Sequence, residues 1–269
     1  DDETVKATVT ISWVPAGGVA TGIAPGTAGP EPARTAAGTA ALAVLGGAAG
    51  APFAGLLLLP GRALLSSSPE RFVRVEPSGS VTAQPIKGTR RRGADAAADA
   101  AARADLAGSE KDRAENLMIV DLLRNDLGRV CAPGTVEVPV LFGVESYTRV
   151  HQMVSTVTGT LRPDAGAVDV LEAAFPPGSM TGAPKLRTMA LLDALEGAPR
   201  GLYSGAFGYL SLCGGADLSV VIRSAVIADG VATVGVGGAI VALSDPNEEV
   251  AEMELKAEAV LDALALARR

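Results

Sequence analysis

A lysine held in a short, rigid turn is the residue of this sequence best suited to covalent chemistry. Lys87 stands at the centre of the segment PIKGTRRRG, which follows a strand-like run at 72–75. Because Pro85 fixes one backbone angle and Gly88 tolerates a positive φ, the turn holds its lysine in a defined conformation. Such a lysine can act as a nucleophile, as a ligand for an anion or as a solvated surface residue, and the turn alone is compatible with all three.

A glutamate on a predicted helix is the second candidate. In the helix predicted over 111–127, a rotation of 100° per residue places Glu115 on an apolar side. Its neighbours there are Met118, Ile119 and Leu122. An ionised carboxylate in that setting needs a cation or a proton as its partner. At the edge of the helix the same side chain would be partly exposed, and the spacing alone favours neither arrangement.

The last predicted helix, over 245–266, has one apolar and one polar face. The apolar face, which is predicted to pack on the core, is formed by Val250, Met253, Ala257, Leu261 and Leu264. Glu249, Glu252 and Lys256 share a different face. An exposed ion pair between a glutamate and a lysine is the usual explanation for such a polar face.

A loop rich in proline and glycine precedes another predicted helix. Pro184 is well placed as the first residue of that helix, since proline is favoured there. Ser179 and Thr181 therefore lie where the start of a helix can bind an anion, followed by the free amides of Gly182 and Ala183. A plain helix cap explains the same residues almost as well, and the glycine spacing excludes a Walker A phosphate loop.

Composition and charge limit the classes of partner. The chain has 269 residues, 48% of them hydrophobic, which is enough to bury the core of one large domain. Its formal net charge of −7 argues against a general nucleic-acid binder, although the basic run at 90–92 is compatible with a compact anionic metabolite. Cys131 and Cys213 lack metal-ligand spacing and favour a reducing, cytoplasmic setting. The single histidine, His151, excludes a histidine-rich metal site.

The first 50 residues are the least informative part of the chain. They contain one strand-like segment, 5–14, and are followed by a predicted buried strand at 53–59. The uncharged stretch 35–60 is interrupted by glycines and by Pro52, so it is not predicted to be a membrane helix. We assign 1–50 as a divergent N-terminal part of the domain and 51–269 as its core.

The rest of the sequence alternates between strand and helix patterns, with turns typical of antiparallel strands. Helices are predicted over 94–107, 111–127, 168–174, 185–196 and 245–266, and strands over 135–138, 141–144, 146–160, 205–213, 218–227 and 231–236.

Taken together, the motifs of residues 52–262 closely resemble those of the chorismate-utilising enzymes. The resemblance rests on segments that occur in family order: SSSPERF (66–72), PIKGTR (85–90), ENLMIVDLLRNDLGR (115–129), AFPPGSMTGAPK (174–185), YSGAFGY (203–209) and VIRSA (221–225). It implies an α+β fold of two large, mostly antiparallel β-sheets packed face to face, with helices outside and chorismate in the cleft between the sheets. Residues 51–269 would then be the chorismate-binding catalytic core.

The resemblance also implies roles for individual residues. A Mg²⁺ ion that grips the ring carboxylate of chorismate is expected at Glu115 and Glu252, with Glu249 nearby; a hard cation of this kind prefers carboxylate oxygens. Glu70 corresponds to the general acid/base that assists departure of the C4 hydroxyl.

The implied substrate-binding residues come from four parts of the sequence. Tyr203 and Arg223, with the backbone of Gly237 and Gly238, are expected to contact the other carboxylate of chorismate. Ser179 and Thr181 are expected to line the same pocket.

The implied reaction is amination of chorismate at C4, with ammonia from a separate glutamine amidotransferase subunit, for the synthesis of 4-aminobenzoate and folate. The turn reads PIKGT in this C4-aminating branch and resembles PIAGT in anthranilate synthases, which aminate C2, so Lys87 favours the C4 branch. Anthranilate synthesis is the alternative. A third hypothesis, favoured by the unusual residues 1–50, is an inactive scaffold that keeps the fold and binds the amidotransferase.

Overall fold

The structure, a computed structural model, describes residues 8–13, 51–229, 231–240 and 244–266. The chain divides into two units. The five-strand unit comprises the described parts of Asp1–Pro69, Leu191–Gly205 and Val221–Arg269, and the seven-strand unit comprises Glu70–Ala190 and Ala206–Val220. Of the predicted N-terminal part only Thr8–Trp13 is described, so the boundary at residue 50 stays a prediction.

The five-strand unit is an antiparallel sheet with one long helix. Its strands follow the order β1-β12-β11-β3-β2, where β1 is Thr8–Trp13, β2 is Phe53–Leu59, β3 is Arg62–Ser68, β11 is Ser224–Ala228 and β12 is Val231–Gly237. Helix α6 (Pro246–Leu266) buries Val260 and Leu264 in one cluster with Leu65 and Val234 of the sheet. This cluster is the core of the unit.

The seven-strand unit is also antiparallel. Its strands are β4 (Arg71–Val75), β5 (Ser80–Gln84), β6 (Ile86–Arg91), β7 (Glu137–Ser146), β8 (Val150–Thr160), β9 (Ala206–Leu210) and β10 (Ala216–Val220). Their order is β6-β8-β5-β4-β10-β9, with β7 paired to β8. The helices of the unit are α1 (Ala96–Gly108), α2 (Glu110–Gly128), α3 (Ala167–Ala174) and the single turn α4 (Gly178–Thr181), after which comes α5 (Lys185–Glu196).

Local sequence explains where the long helices α1 and α2 begin. The Asp95 carboxylate accepts a hydrogen bond from the N–H of Ala98 at 2.8 Å, and the Ser109 hydroxyl accepts one from the N–H of Asp112 at 3.3 Å. Helix α2 then buries one face, formed by Asn116, Ile119, Val120, Leu123, Asp126 and Leu127. None of the helices in the described ranges combines the length and the apolar composition needed to cross a membrane.

The predicted fold class is confirmed, because the chain forms two antiparallel sheets accompanied by helices. The predicted burial of the strand at 53–59 is wrong. Strand β2 lies at the edge of its sheet, and Leu57, Leu58 and Leu59 are exposed. Its apolar run resembles that of a central strand, but an edge strand has a neighbour on one side only.

The single strand predicted over 218–227 is in fact two strands of different sheets. Strand β10 ends at Val220, and β11 begins at Ser224. Between them Arg223 has a φ of 51°, in the left-handed region. The apolar pattern continues through this break, because both strands are buried on their own sheets, and pattern alone therefore does not reveal it.

The predicted apolar face of the last helix is confirmed for its last four residues, which pack in the core, but the assignment of two residues in its first turn is wrong. Val250, which was predicted to pack on the core, is 48% exposed, whereas Glu249, which was predicted on the polar face, is 5% exposed. The buried line of α6 starts at Glu249 and continues through Ala257 and Val260. Glu249 tolerates burial because its Oε1 accepts a hydrogen bond from the Ser244 hydroxyl at 2.8 Å.

Candidate active site

Lys87 lies on β6 at a bulge of the sheet. The pairing of β6 with β8 shifts register between Ile86 and Thr89. Gly88 has a φ of 82°, and a Cβ at this residue would lie 2.7 Å from Cγ of Asp112. This close approach explains why a glycine follows the lysine, because any side chain there would push β6 away from α2.

The Lys87 amino group faces Glu115 of α2. Its Nζ lies 3.9 Å from Oε2 of Glu115, and the two side chains are only 18% and 15% exposed. The helix pattern is compatible with Glu115 either in an apolar setting with a cationic partner or at an exposed helix edge. The structure shows the first arrangement, and it joins the predicted nucleophile to one of the predicted metal ligands.

Glu70 and Ser179 line the same small cavity of the seven-strand unit. The cavity has a volume of about 10 Å³, and apolar side chains such as Phe72, Ile119 and Leu123 form much of its wall. Glu70 is 6% exposed and Ser179 is 7% exposed. A space of this size holds about one water-sized molecule. A buried carboxyl group beside such a space suits proton transfer to or from a small reactant.

Arg71 fixes the start of β4, directly after Glu70. Its Nε and Nη2 donate to the two carboxylate oxygens of Asp217 at 3.0 and 3.2 Å, and its Nη1 donates to the side-chain oxygen of Gln84. These partners belong to β10 and β5, the strands on either side of β4. The backbone of Glu70 is held as well, since its carbonyl accepts from the N–H of Val220 at 3.1 Å.

The loop that carries Ser179 and Thr181 closes into a helical turn. The N–H of Gly182 donates to the carbonyl of Gly178 at 3.1 Å, so the prediction that this amide is free is wrong. The turn satisfies the amide before α5 begins. Thr181 is 3% exposed, and its hydroxyl lies 3.5 Å from the carbonyl oxygen of Pro177.

A buried ion pair that the sequence analysis missed holds this loop. Lys185, the first residue of α5, donates from Nζ to Oδ2 of Asp126 at 2.6 Å and to the carbonyl of Ala174 at 2.8 Å. The two side chains are 14% and 5% exposed. Burial raises the pKa of Asp126, although the Lys185 ammonium opposes that shift. The signal that could have indicated this ion pair is the position of Asp126 on the apolar face of α2, where a carboxylate needs a partner.

We expect Lys185→Met to lower the free energy of unfolding by about 3 kcal/mol, because it leaves the Asp126 carboxylate buried without its cation. Chemical denaturation at neutral pH measures this loss. Arg124→Met is the matched control, since Arg124 pairs with Asp121 on the exposed side of α2 and the change should cost less than about 1 kcal/mol. Equal losses in the two variants would contradict the prediction.

In the five-strand unit, Tyr203 and Arg223 interact electrostatically. Burial raises the pKa of Tyr203 to about 12, so the phenol keeps its proton at neutral pH. Burial lowers the pKa of Arg223, and the negative charge of Glu252 opposes this shift. A hydroxyl donor beside a guanidinium is a suitable pair for binding a carboxylate.

The Tyr203 ring packs directly on strand β12. A Cβ on Gly235 would lie 2.3 Å from Cγ of the ring, so the strand needs glycine at this residue. Tyr203 and Gly235 also line a cavity of about 40 Å³ together with Arg200 and Ser224. The Arg200 guanidinium also contacts the residue after Tyr203, because its Nη1 donates to the hydroxyl of Ser204 at 3.1 Å.

The predicted glycines lie at the end of β12 and contact α6. The carbonyl of Gly237 accepts a hydrogen bond from Nζ of Lys256 at 3.1 Å, and the same amino group lies 2.6 Å from Oε1 of Glu252. A Cβ on Gly238 would lie 2.8 Å from Oε2 of Glu249. The structure therefore brings four predicted residues together: Gly237, Gly238, Glu249 and Glu252. The Glu252 and Lys256 pair expected from the helix pattern is confirmed.

The three predicted magnesium ligands have suitable donor chemistry. Glu115 is a mostly buried carboxylate of α2, whereas Glu249 and Glu252 lie on α6 in the other unit. Carboxylate oxygens are the ligands that Mg²⁺ prefers. Within the described residues no group of three or more His, Cys, Asp or Glu side chains is arranged to hold a metal, so the magnesium site stays a prediction.

The single histidine is not part of these groups. His151 is 1% exposed, with Nδ1 2.8 Å from the Ser146 hydroxyl and Nε2 3.0 Å from Asp99. Asp99 is also held by the Arg92 guanidinium, whose hydrogen bonds keep the pKa of this carboxyl well below its usual range. These contacts tie α1 to the hairpin of β7 and β8, which is a structural role.

Comparison with known proteins identifies the family of this chain. The sequence profile described as chorismate binding enzyme matches residues 38–262. The aminodeoxychorismate synthase of Streptomyces pristinaespiralis is 61% identical over 214 residues, which cover 80% of this chain and 30% of that protein. Aminodeoxychorismate synthase component 1 of Salmonella typhimurium is 50% identical over 204 residues, which cover 76% of this chain and 44% of that protein. The chain thus spans less than half the length of these relatives.

A solved structure shows the same fold. The crystal structure of anthranilate synthase component I from Streptococcus pneumoniae TIGR4 matches with a TM-score of 0.79 and 31% identity. The match covers 96% of this chain and 53% of that one. Similar proteins therefore carry two different synthase names, and residues of the site must distinguish between the two reactions.

Proposed function

The chain belongs to the family of chorismate-binding enzymes, and from this premise we propose that it aminates chorismate at C4 to give 4-amino-4-deoxychorismate. The product serves the synthesis of 4-aminobenzoate and folate. The unpaired thiols of Cys131 and Cys213 support a cytoplasmic setting for this reaction.

The observation that carries the proposal is the position of Lys87. The lysine is held on a bulge of β6, mostly buried, with its amino group against the carboxylate of Glu115. A solvated surface lysine would not be confined in this way. The C2-aminating members of the family resemble PIAGT in this turn and have no amine there, so a buried lysine favours C4 amination.

The proposed reaction has two displacement steps. In the first, the neutral Lys87 amine bonds to C2 of chorismate while the C4–O bond breaks, and Glu70 protonates the departing hydroxyl so that it leaves as water. In the second, ammonia bonds to C4 while the bond between C2 and Lys87 breaks, and the Glu70 carboxylate accepts a proton from the new ammonium group. The net change is chorismate plus ammonia to 4-amino-4-deoxychorismate plus water, and both side chains are restored.

Several residues are proposed to bind and orient the substrate. Tyr203 and Arg223 would donate to one carboxylate, as their electrostatic coupling and donor chemistry support. The backbone of Gly237 and Gly238 would contact the same group. Ser179 and Thr181 would line the pocket beside Glu70, which is supported for Ser179 by the cavity that it shares with Glu70.

We propose Glu115, Glu249 and Glu252 as the residues that would hold Mg²⁺. The ion would neutralise the ring carboxylate of chorismate, which is chemistry that the side chains alone do not supply. Nζ of Lys87 lies 3.9 Å from Glu115 and Nζ of Lys256 lies 2.6 Å from Glu252, so both carboxylates lie where a positively charged group is accommodated.

The decisive test is the product that the purified chain forms from chorismate and ammonium with Mg²⁺. We expect 4-amino-4-deoxychorismate, identified by chromatography and mass spectrometry. Formation of anthranilate instead would support the alternative reaction at C2. A folded protein that leaves chorismate unchanged would support the inactive scaffold.

We expect glutamine to fail as the nitrogen source for the isolated chain where high ammonium succeeds. A glutaminase needs a nucleophile activated by a base. Cys131 is buried with a raised thiol pKa, and a hydrogen bond with Ser211 lowers the thiol pKa of the exposed Cys213. The single histidine that could serve as the base, His151, has both nitrogens hydrogen-bonded to Ser146 and Asp99. A separate glutamine amidotransferase is therefore proposed as the partner that supplies ammonia. Glutamate release from glutamine by the isolated chain would contradict this prediction.

A further inference from the structure

We propose that Arg90 is a positioning residue that fixes the register of β6 against helix α2 and so holds the Lys87 amine at its place beside Glu115. This inference rests on the proposed function, because it assigns a purpose to the placement of the proposed nucleophile. Arg90 is not proposed to contact Glu115 or the reacting atoms. It acts only through β6, the strand that carries both Lys87 and Arg90.

Two matched contacts connect the strand to the helix. Lys87 and Arg90 are three residues apart on β6, and their partners Glu115 and Asp112 are three residues apart on α2. Nη2 of Arg90 lies 3.1 Å from Oδ2 of Asp112, while Nζ of Lys87 lies 3.9 Å from Glu115. Three residues of helix rise about 4.5 Å, so the two contacts lie about one turn apart along α2. Together the two contacts hold β6 at a defined distance from α2 and prevent the strand from sliding along the helix.

The bulge makes this fixation necessary. Because register shifts between Ile86 and Thr89, the ladder to β8 does not by itself define where Lys87 points. Gly88 is pressed against both helices, since a Cβ there would meet the side chain of Asp112 on α2 at 2.7 Å and that of Leu106 on α1 at 2.8 Å. A slide of β6 would therefore move the lysine and create a clash at the same time.

Arginine suits this task because its guanidinium has several donors in one plane. While Nη2 holds Asp112 on α2, Nε lies 2.6 Å from Oδ2 of Asp105 on α1. The two carboxylates differ in exposure, with 16% for Asp112 and 66% for Asp105. Since exposed ion pairs contribute little, the contact to Asp112 should be the one that positions the strand.

The test compares Arg90→Ala and Asp112→Asn with Asp105→Asn, which breaks the other contact of the same arginine. The readout is the rate at which Lys87 forms an adduct with chorismate in the absence of ammonium, followed by mass spectrometry. A displacement of about 1 Å can cost about 100-fold in rate, so we expect Arg90→Ala and Asp112→Asn to slow the adduct by about 10-fold to 100-fold. We expect Asp105→Asn to stay within about twofold of the parent.

Two further measurements separate positioning from loss of structure. The KM for chorismate should change little while kcat falls, because binding residues are untouched. Labelling of Lys185 by an amine reagent should stay constant, since that lysine is held in the same unit by a separate contact to Asp126. Arg90→Lys should restore part of the rate by keeping one ion pair.

The outcomes also separate this inference from the proposed function. If the parent chain forms no Lys87 adduct, the proposed function is refuted, and the inference, which depends on it, is refuted as well. If the parent forms the adduct and Asp112→Asn forms it equally fast, or if Asp105→Asn slows it as much as Asp112→Asn does, the proposed function stands and the role of Arg90 is refuted.

Discussion

Lys87→Ala should lose most C4 amination, with kcat reduced by about 100-fold or more, and should release some C2-aminated product. The size follows from the contribution that a positioned catalytic side chain makes, about 10² to 10⁴ in rate. Without the amine no adduct blocks C2, so ammonia can attack there as well. The loss of stability should be smaller than in Lys185→Met, because the contact to Glu115 is 3.9 Å long whereas that of Lys185 to Asp126 is 2.6 Å. Product analysis by chromatography, with the adduct sought by mass spectrometry, measures both effects.

Lys87→Arg is the matched control that separates a nucleophile from an anion ligand. Arginine keeps the positive charge and binds carboxylates well, but its guanidinium stays protonated and does not attack carbon. If Lys87 only binds an anion, the arginine variant should keep most of the activity. If it is the nucleophile, both variants should fail alike. An alanine variant that makes 4-amino-4-deoxychorismate as fast as the parent, with no lysine adduct in the parent, would remove the assignment to the C4 branch.

Glu115→Gln and Glu252→Gln should each abolish measurable turnover while leaving the fold intact. Each change removes a negative charge from the proposed magnesium ligands, and the substrate carboxylate would then lack the cation that neutralises it. Both residues lie next to a lysine, Glu115 mostly buried and Glu252 half exposed, and an amide of the same shape should fit at each position without repacking. Turnover in a Mg²⁺ titration and in excess chelator measures the effect on activity.

A second measurement does not depend on activity. Binding of Mg²⁺ to the parent and to each variant, followed by calorimetry, should weaken in both variants. Glu254→Gln is the control, because Glu254 lies exposed on α6 beside the proposed ligands and should leave metal binding and turnover unchanged. Full activity of the parent in excess chelator would overturn the proposal that the reaction needs the metal.

The sequence by itself determined the family, the strand and helix content of most of the chain, and the surroundings of several site residues. The turn around Lys87 was readable because proline and glycine constrain their own backbone. The 100° periodicity of α2 placed Glu115 on an apolar side of the helix without deciding its burial, and the start of that helix follows from the cap at Ser109. These features depend on residues within a few positions of one another, so a single sequence contains the information.

Only the tertiary structure decided which partners those residues meet. Lys185 and Asp126 are 59 residues apart in the chain and Arg90 and Asp112 are 22 apart, and no periodicity links such pairs. The break at Arg223 and the burial of Glu249 have the same origin. An apolar run does not say where the chain leaves one sheet for another, and the buried side of α6 is chosen by the sheet and by the Ser244 hydroxyl that satisfies Glu249. Local pattern fixes periodicity and turns, whereas the choice between neighbouring faces and distant partners depends on long-range packing.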